Sequence, residues 1–151
     1  EMFNNKAIYP YVSQLLNELI LWVNLSKEHP IFIKEISLYQ EINIDNNLKE
    51  LLNKSFSDLS IIRKKLMDIK NYYNFYSQSI VNEQHLLLDI SIILKDLLRV
   101  NMEFLEALKL LEKLPSRDNS WGAFINHITI EQRQLLQIST SHSTRIKSMV
   151  S

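Results

Sequence analysis

ISIILKDLLRVNMEFLEALKLL, residues 90–111, sets Ile90, Leu94, Leu97, Phe104, Leu108 and Leu111 at alternating steps of three and four. That spacing lines one face of an α-helix with apolar side chains. Asn101 fills the one gap in the series. Three further stretches read the same way. The first is Leu15, Leu19, Trp22, Ser26, His29, Ile33, Ile36. A second runs Leu48, Leu52, Ser55, Leu59, Ile62, Leu66, Ile69, and the last is Trp121, Phe124, Ile128, Glu131, Leu135, Ile138. Four long amphipathic segments with short connections predict an all-α, antiparallel up-down-up-down four-helix bundle. The helices are expected at about 10–39, 47–76, 82–114 and 120–139, in one domain spanning 1–151.

Punctuation agrees with this division. Pro10 suits a first helical turn, and Asp45, Asn46 and Asn47 are N-cap candidates for the second helix. A break is expected at 77–82, and Pro115 should stop the third helix. Asp118 or Ser120 should cap the fourth, and the Ser/Thr-rich tail 140–151 is expected to fray. Pro30 conflicts with its surroundings: inside the first helix it removes a backbone N–H and frees the carbonyl of Ser26.

Each apolar stripe carries a polar interruption, at His29, Ser55, Asn101 and Glu131. In an up-and-down bundle each lies about nine to thirteen residues from its turn. At about 1.5 Å rise per residue they fall within about one helical turn of a common depth. A buried carboxylate is costly unless it is paired or bound to a cation, so this layer is the candidate site.

Composition narrows the chemistry. The chain of 151 residues has 46% apolar and 23% charged residues, one glycine and three prolines. So little glycine disfavours a β-sandwich or a phosphate-cradling loop. Seventeen basic residues balance seventeen acidic ones, which lacks the basic footprint of a nucleic-acid binder. No cysteine is present, removing disulfides, thiolate nucleophiles and thiolate metal sites, and fitting a reducing cytoplasm. No apolar run reaches the length of a membrane span. The expected partners are therefore a metal ion but neither nucleic acid nor membrane, with self-association left open.

His127 and Glu131 are four residues apart and share a helical face. Imidazole and carboxylate donors at that spacing can chelate one divalent ion such as iron, manganese or zinc. The plainer reading is a solvated surface couple. Glu28 and His29 are adjacent and splay about 100° apart on a helix, with His29 inward. Its plainer reading is a core histidine bonded to Ser55 or Asn101. Of the other histidines, His85 lies away from the polar layer and His142 in the tail. The repeated E-x-x-H of di-iron bundles is missing, so a mononuclear or incomplete site is expected rather than a dinuclear one. Trp22, Phe32 and Phe124 would wall it from solvent. The alternative function is a metal-free interaction or structural module whose polar layer fixes helix register. In that case the aromatic cluster Tyr72, Tyr73, Phe75, Tyr76 is either a partner surface or ordinary packing at the bundle end.

Two blocks also resemble a known family. Trp22-Val-Asn-Leu-Ser-Lys-Glu28-His29-Pro-Ile-Phe32-Ile33 is similar to W-x-x-x-x-x-E-H-x-x-F-I, the opening of the bacterial family called domain of unknown function 2935. Phe124-Ile-Asn126-His127-Ile-Thr-Ile-Glu131-Gln-Arg-Gln-Leu135 resembles its closing L-I-D-H-x-x-x-E-A-x-x-Y-L. The resemblance implies a ferritin-like bundle with a metal site at Glu28, His29, His127 and Glu131, and implies no reaction. Asn126 departs from the family's aspartate, Gln132 from its alanine and Leu135 from its tyrosine. The first departure removes a carboxylate that would orient His127.

Overall fold

The computed structural model describes residues 8–75 and 83–150. They form four helices: α1 (Ile8–Tyr39), α2 (Asn46–Phe75), α3 (Glu83–Glu112) and α4 (Ser120–Val150). Each packs on its sequence neighbour, and α4 returns to α1, closing a four-helix bundle. Cross-helix pairs run in opposite senses, as up-and-down connections require. Lys34 meets Asn53 and Asn24 meets Arg63 between α1 and α2. Between α1 and α4, His29 meets Glu131 and Glu18 meets His142. Tyr76 and the break expected at 77–82 lie outside the described residues.

The turns have local causes. Asp45 Oδ1 accepts the Leu48 N–H at 2.8 Å, capping α2, and Asp118 Oδ1 accepts the Ser120 N–H at 2.8 Å, capping α4. At the end of α1, Ile42 N–H reaches back to the Ser37 carbonyl at 2.8 Å, a Schellman closure. It needs a left-handed residue, and Glu41 supplies it at φ 56° without being glycine, at a cost of about 1 kcal/mol. Trp121, fully buried, donates Nε1–H to the Leu111 carbonyl at 2.8 Å and so ties the start of α4 to the end of α3.

Two expectations fail in α4. The tail does not fray: the helix runs to Val150, with Ser139, Ser143 and Ile146 buried. Ile146 packs among Tyr11, Leu15 and their neighbours, and this burial outweighs the weak helix propensity of serine and threonine. The inward face also differs. Ile125, Gln132, Ser139 and Ile146, at heptad spacing, are buried, whereas Phe124, Glu131 and Ile138 are half-buried. Seating Ile146 in the core fixes this phase. α1 runs unbroken through the buried Pro30.

The apolar core is split. One cluster holds Leu15, Leu19, Val23, Leu59, Leu66, Leu94, Leu97 and Leu135 with their neighbours. The other gathers Ile33, Leu52, Phe104, Leu108, Trp121, Ile125 and Ile128. Between these positions along the helices lie the buried polar residues Ser26, His29, Ser55, Asn101 and Gln132. The polar layer read from sequence is therefore present, with Gln132 rather than Glu131 as the innermost contribution of α4.

Candidate functional site

The polar layer is bonded across three helices. Pro30 leaves α1 one backbone donor short next to His29, and the sequence there supplies hydroxyl and imidazole groups facing α4. Gln132, 1% exposed, is the hub. Its Nε2–H donates to His29 Nδ1 at 2.9 Å, while its Oε1 accepts the Ser26 hydroxyl at 3.2 Å. Asn101 Nδ2–H, from α3, donates to the Gln132 backbone carbonyl at 2.9 Å. Since His29 Nδ1 accepts, the ring's single proton sits on Nε2, which donates to Glu131 Oε2 at 2.7 Å. Asn101 Oδ1 is buried with no partner.

Glu131 stands at the edge of the layer, with its side chain 32% exposed. Its second oxygen, Oε1, lies 2.9 Å from His127 Nε2. One carboxylate thus lies between two imidazoles, one from α1 and one from its own helix. Burial pushes the His29 imidazole below its ordinary pKa, opposed by the hydrogen bond and negative charge of Glu131. His127 also disfavours a charge on His29, in a smaller degree.

Of the four residues expected at the site, the structure brings together His29, His127 and Glu131. Glu28 is half-buried and takes no part in these hydrogen bonds and ion pairs. His29 is satisfied by Gln132 and Glu131 rather than by Ser55 or Asn101. His127 is exposed, so the i,i+4 couple on α4 is partly solvated. Phe32 does not wall the site: it is 47% exposed, while Trp22 and Phe124 are half-buried. Among the described residues, no group of three or more His, Cys, Asp or Glu side chains is arranged to hold a metal ion as it stands. The three groups nearest one another are nonetheless metal-type donors: two imidazoles and a carboxylate. His127 is exposed, Glu131 is half-buried, and His29 is held from behind by Gln132.

Sequence reading missed a second cluster on the same α1–α4 seam. His142 Nε2 lies 3.0 Å from Glu18 Oε2, and its Nδ1 lies 3.0 Å from the Tyr11 hydroxyl. The Arg145 guanidinium sits over the Tyr11 ring, 4.0 Å from its centroid. Burial raises the Tyr11 pKa; Arg145 opposes this and Glu18 adds to it. The signal was available as a repeated E-x10-H, Glu18 to His29 on α1 and Glu131 to His142 on α4. Eleven residues make about three helical turns, so each Glu and His share a face, and opposed helices bring them together as two crossed pairs. Gln132 was also legible, seven residues after Ile125 and seven before Ser139.

No family model, curated protein or solved structure matches the chain.

Proposed function

We propose that this chain is a divalent-metal-binding helical bundle, with the ion held by His29, His127 and Glu131. One observation carries the reading: imidazole Nε2 atoms from two helices approach the two oxygens of a single carboxylate, at 2.7 and 2.9 Å. Two histidines and one carboxylate suit iron(II), manganese or zinc and leave further positions open. Gln132 occupies the place of the outer hydrogen-bond partner that metal-bound histidines carry on their second nitrogen. The two motif blocks resembling a ferritin-like bacterial family support the same residues and imply Glu28 as a fourth, and the lack of cysteine suits a reducing cytoplasm. No reaction is assigned.

Elemental analysis of protein purified without chelator, followed by calorimetric titration with zinc, tests it. The expected result is one ion per chain, lost in His29→Ala. Substoichiometric metal after soaking in iron, manganese or zinc, with no melting shift on adding EDTA, would sink the reading.

A second reading is favoured by the internal bonding of Ser26, His29, Gln132 and Asn101. On it the layer is a metal-free device that pins helix register in an interaction or structural module, as buried polar groups do in coiled coils. Of the cluster's two tyrosines among the described residues, Tyr72, 49% exposed, is then offered to a partner, whereas Tyr73 is buried. Glu131→Leu separates the two. Register pinning without metal predicts the same loss with and without added metal, about 1–3 kcal/mol for the unpartnered His29 Nε2–H, whereas the metal site predicts loss of all metal-dependent stabilisation.

A further inference from the structure

We infer that this chain associates with copies of itself, the outer face of α1 in one copy seating on the outer face of α3 in the next. Single exposed apolar side chains are ordinary on a protein surface, but on these two helices they fall in series. On α1, Leu21, Leu25, Glu28, Phe32, Glu35 and Tyr39 follow alternating steps of four and three. All are exposed except Glu28, which is half-buried. α3 repeats the spacing with Leu88, Ile92, Lys95, Arg99, Met102 and Glu106, all exposed. This is the rhythm of the seam between two coiled helices. Here it lies outside the bundle, in addition to the inward stripe that each helix buries. From Leu21 to Tyr39 the seam is about 27 Å long, at about 1.5 Å per residue.

Charge names the occupant. The polar positions of the α1 series are acidic, and the middle of the α3 series is basic. Among the described residues Glu28, Glu35 and Lys95 enter no ion pair. Arg99 pairs with Glu103 on its own helix but stays half exposed. Laid parallel, the two series oppose Glu28 to Lys95 and Phe32 to Arg99. Laid antiparallel, they oppose Glu28 to Arg99 and Phe32 to Lys95. In either direction a carboxylate meets one base, and the ring of Phe32 meets the other, as a cation–π pair. Leu25 meets Ile92 or Met102. Like faces match less well. Two α3 faces set Lys95 and Arg99 against bases, which opposes association, and two α1 faces offer no base to Glu28 or Glu35.

α1 and α3 are the diagonal pair of the bundle, each packed on both α2 and α4, so their outer faces look away from each other. A contact between unlike faces on opposite sides does not close on two chains. Each added copy presents a fresh face, and the product is an open row. Only one helix from each copy takes part, so the contact is small. Association is expected at protein concentrations between about 10 µM and 1 mM.

Sedimentation equilibrium across that range, with EDTA present so that a bound metal plays no part, tests the inference. The average mass should rise with concentration past twice the 17.9 kDa of one chain. Phe32→Lys sets a base against Lys95 and Arg99, and Ile92→Glu sets a carboxylate against Leu25 or Glu35. Both positions are exposed, so the fold should tolerate the changes. Each variant alone should stay at the mass of one chain. An equal mixture should pair and stop at two chains, because Phe32→Lys keeps an intact α3 face and Ile92→Glu an intact α1 face. A wild-type mass fixed at one chain up to about 1 mM overturns the inference and leaves both faces to another protein. Growth that halts at two wild-type chains overturns it in favour of a two-fold contact. Association that either variant leaves unchanged, or a mixture that does not pair, also overturns it.

Discussion

The α1–α4 seam holds the same pair twice, His29 with Glu131 and His142 with Glu18, in surroundings that differ. His29 sits in a layer of buried hydroxyl and amide groups, and its carboxylate is shared with a second imidazole. His142 is bonded to a tyrosine, on a carboxylate that serves no second histidine. The histidine–carboxylate pair itself is therefore not what makes a candidate site. The neighbours are: a second imidazole on the carboxylate and a buried amide bonded behind the ring.

The largest expected difference between the two pairs is in metal affinity. His29→Ala should weaken zinc binding by at least about 100-fold, since one of three protein donors is lost. His142→Ala should leave it within about twofold. Equal losses at both positions, measured by calorimetry, would place the ion elsewhere.

Stability comes next. Gln132→Leu should destabilise by about 1–3 kcal/mol, because it leaves the Ser26 hydroxyl and His29 Nδ1 without their partner. Tyr11→Phe at the other pair should cost about 0.5–1.5 kcal/mol, the net value of one hydrogen bond. Denaturant unfolding of the two variants checks the order, and a larger loss for Tyr11→Phe would reverse the contrast.

The pairs should also fail at opposite ends of the pH scale. His29 has a depressed pKa, chiefly from burial, so below about pH 6.5 the unfolded chain takes up the proton first. Its contribution is present above that value and lost as pH falls through it. Tyr11 has a raised pKa, again chiefly from burial. Its contribution is present below about pH 10, where the unfolded phenol begins to ionise, and is lost as pH rises further. Melting curves should show both arms in the metal-free protein. Tyr11→Phe should remove only the alkaline arm, and an unchanged alkaline arm would dismiss that origin.

The smallest effect belongs to the exposed cluster of Lys54, Asp58, Arg99 and Glu103 between α2 and α3. Lys54→Ala should change stability by no more than about 0.5 kcal/mol, because solvent screens such pairs. A larger change would show that surface charge rivals the buried layer.

Much of this was readable from residue spacing. Four stripes and the polar layer followed from apolar periodicity, and Asp45 and Asp118 stood among the cap candidates the structure chose between. The phase of α4 was not, because Phe124 and Ile125 are both apolar and Ile138 looked a better core residue than Ser139. Only the docking of Ile146 against α1, a contact remote in sequence, decides it. The same omission hid His142, which was read with a fraying tail. The pairing of His29 with Gln132 depends on that phase too, and a one-residue rotation of α4 turns Gln132 from a surface side chain into the hub of the layer.

The split core has a mechanical consequence. Each helix threads both apolar clusters, so the halves are joined by continuous backbone as well as by the polar bonds between them. Along α1 that splice is thinned, because Pro30 cannot donate to the carbonyl of Ser26 within the layer itself. A helix lacking one backbone bond bends more cheaply there than elsewhere. The layer is thus the joint of the rod, and flexing of the bundle concentrates where His29 and Gln132 meet.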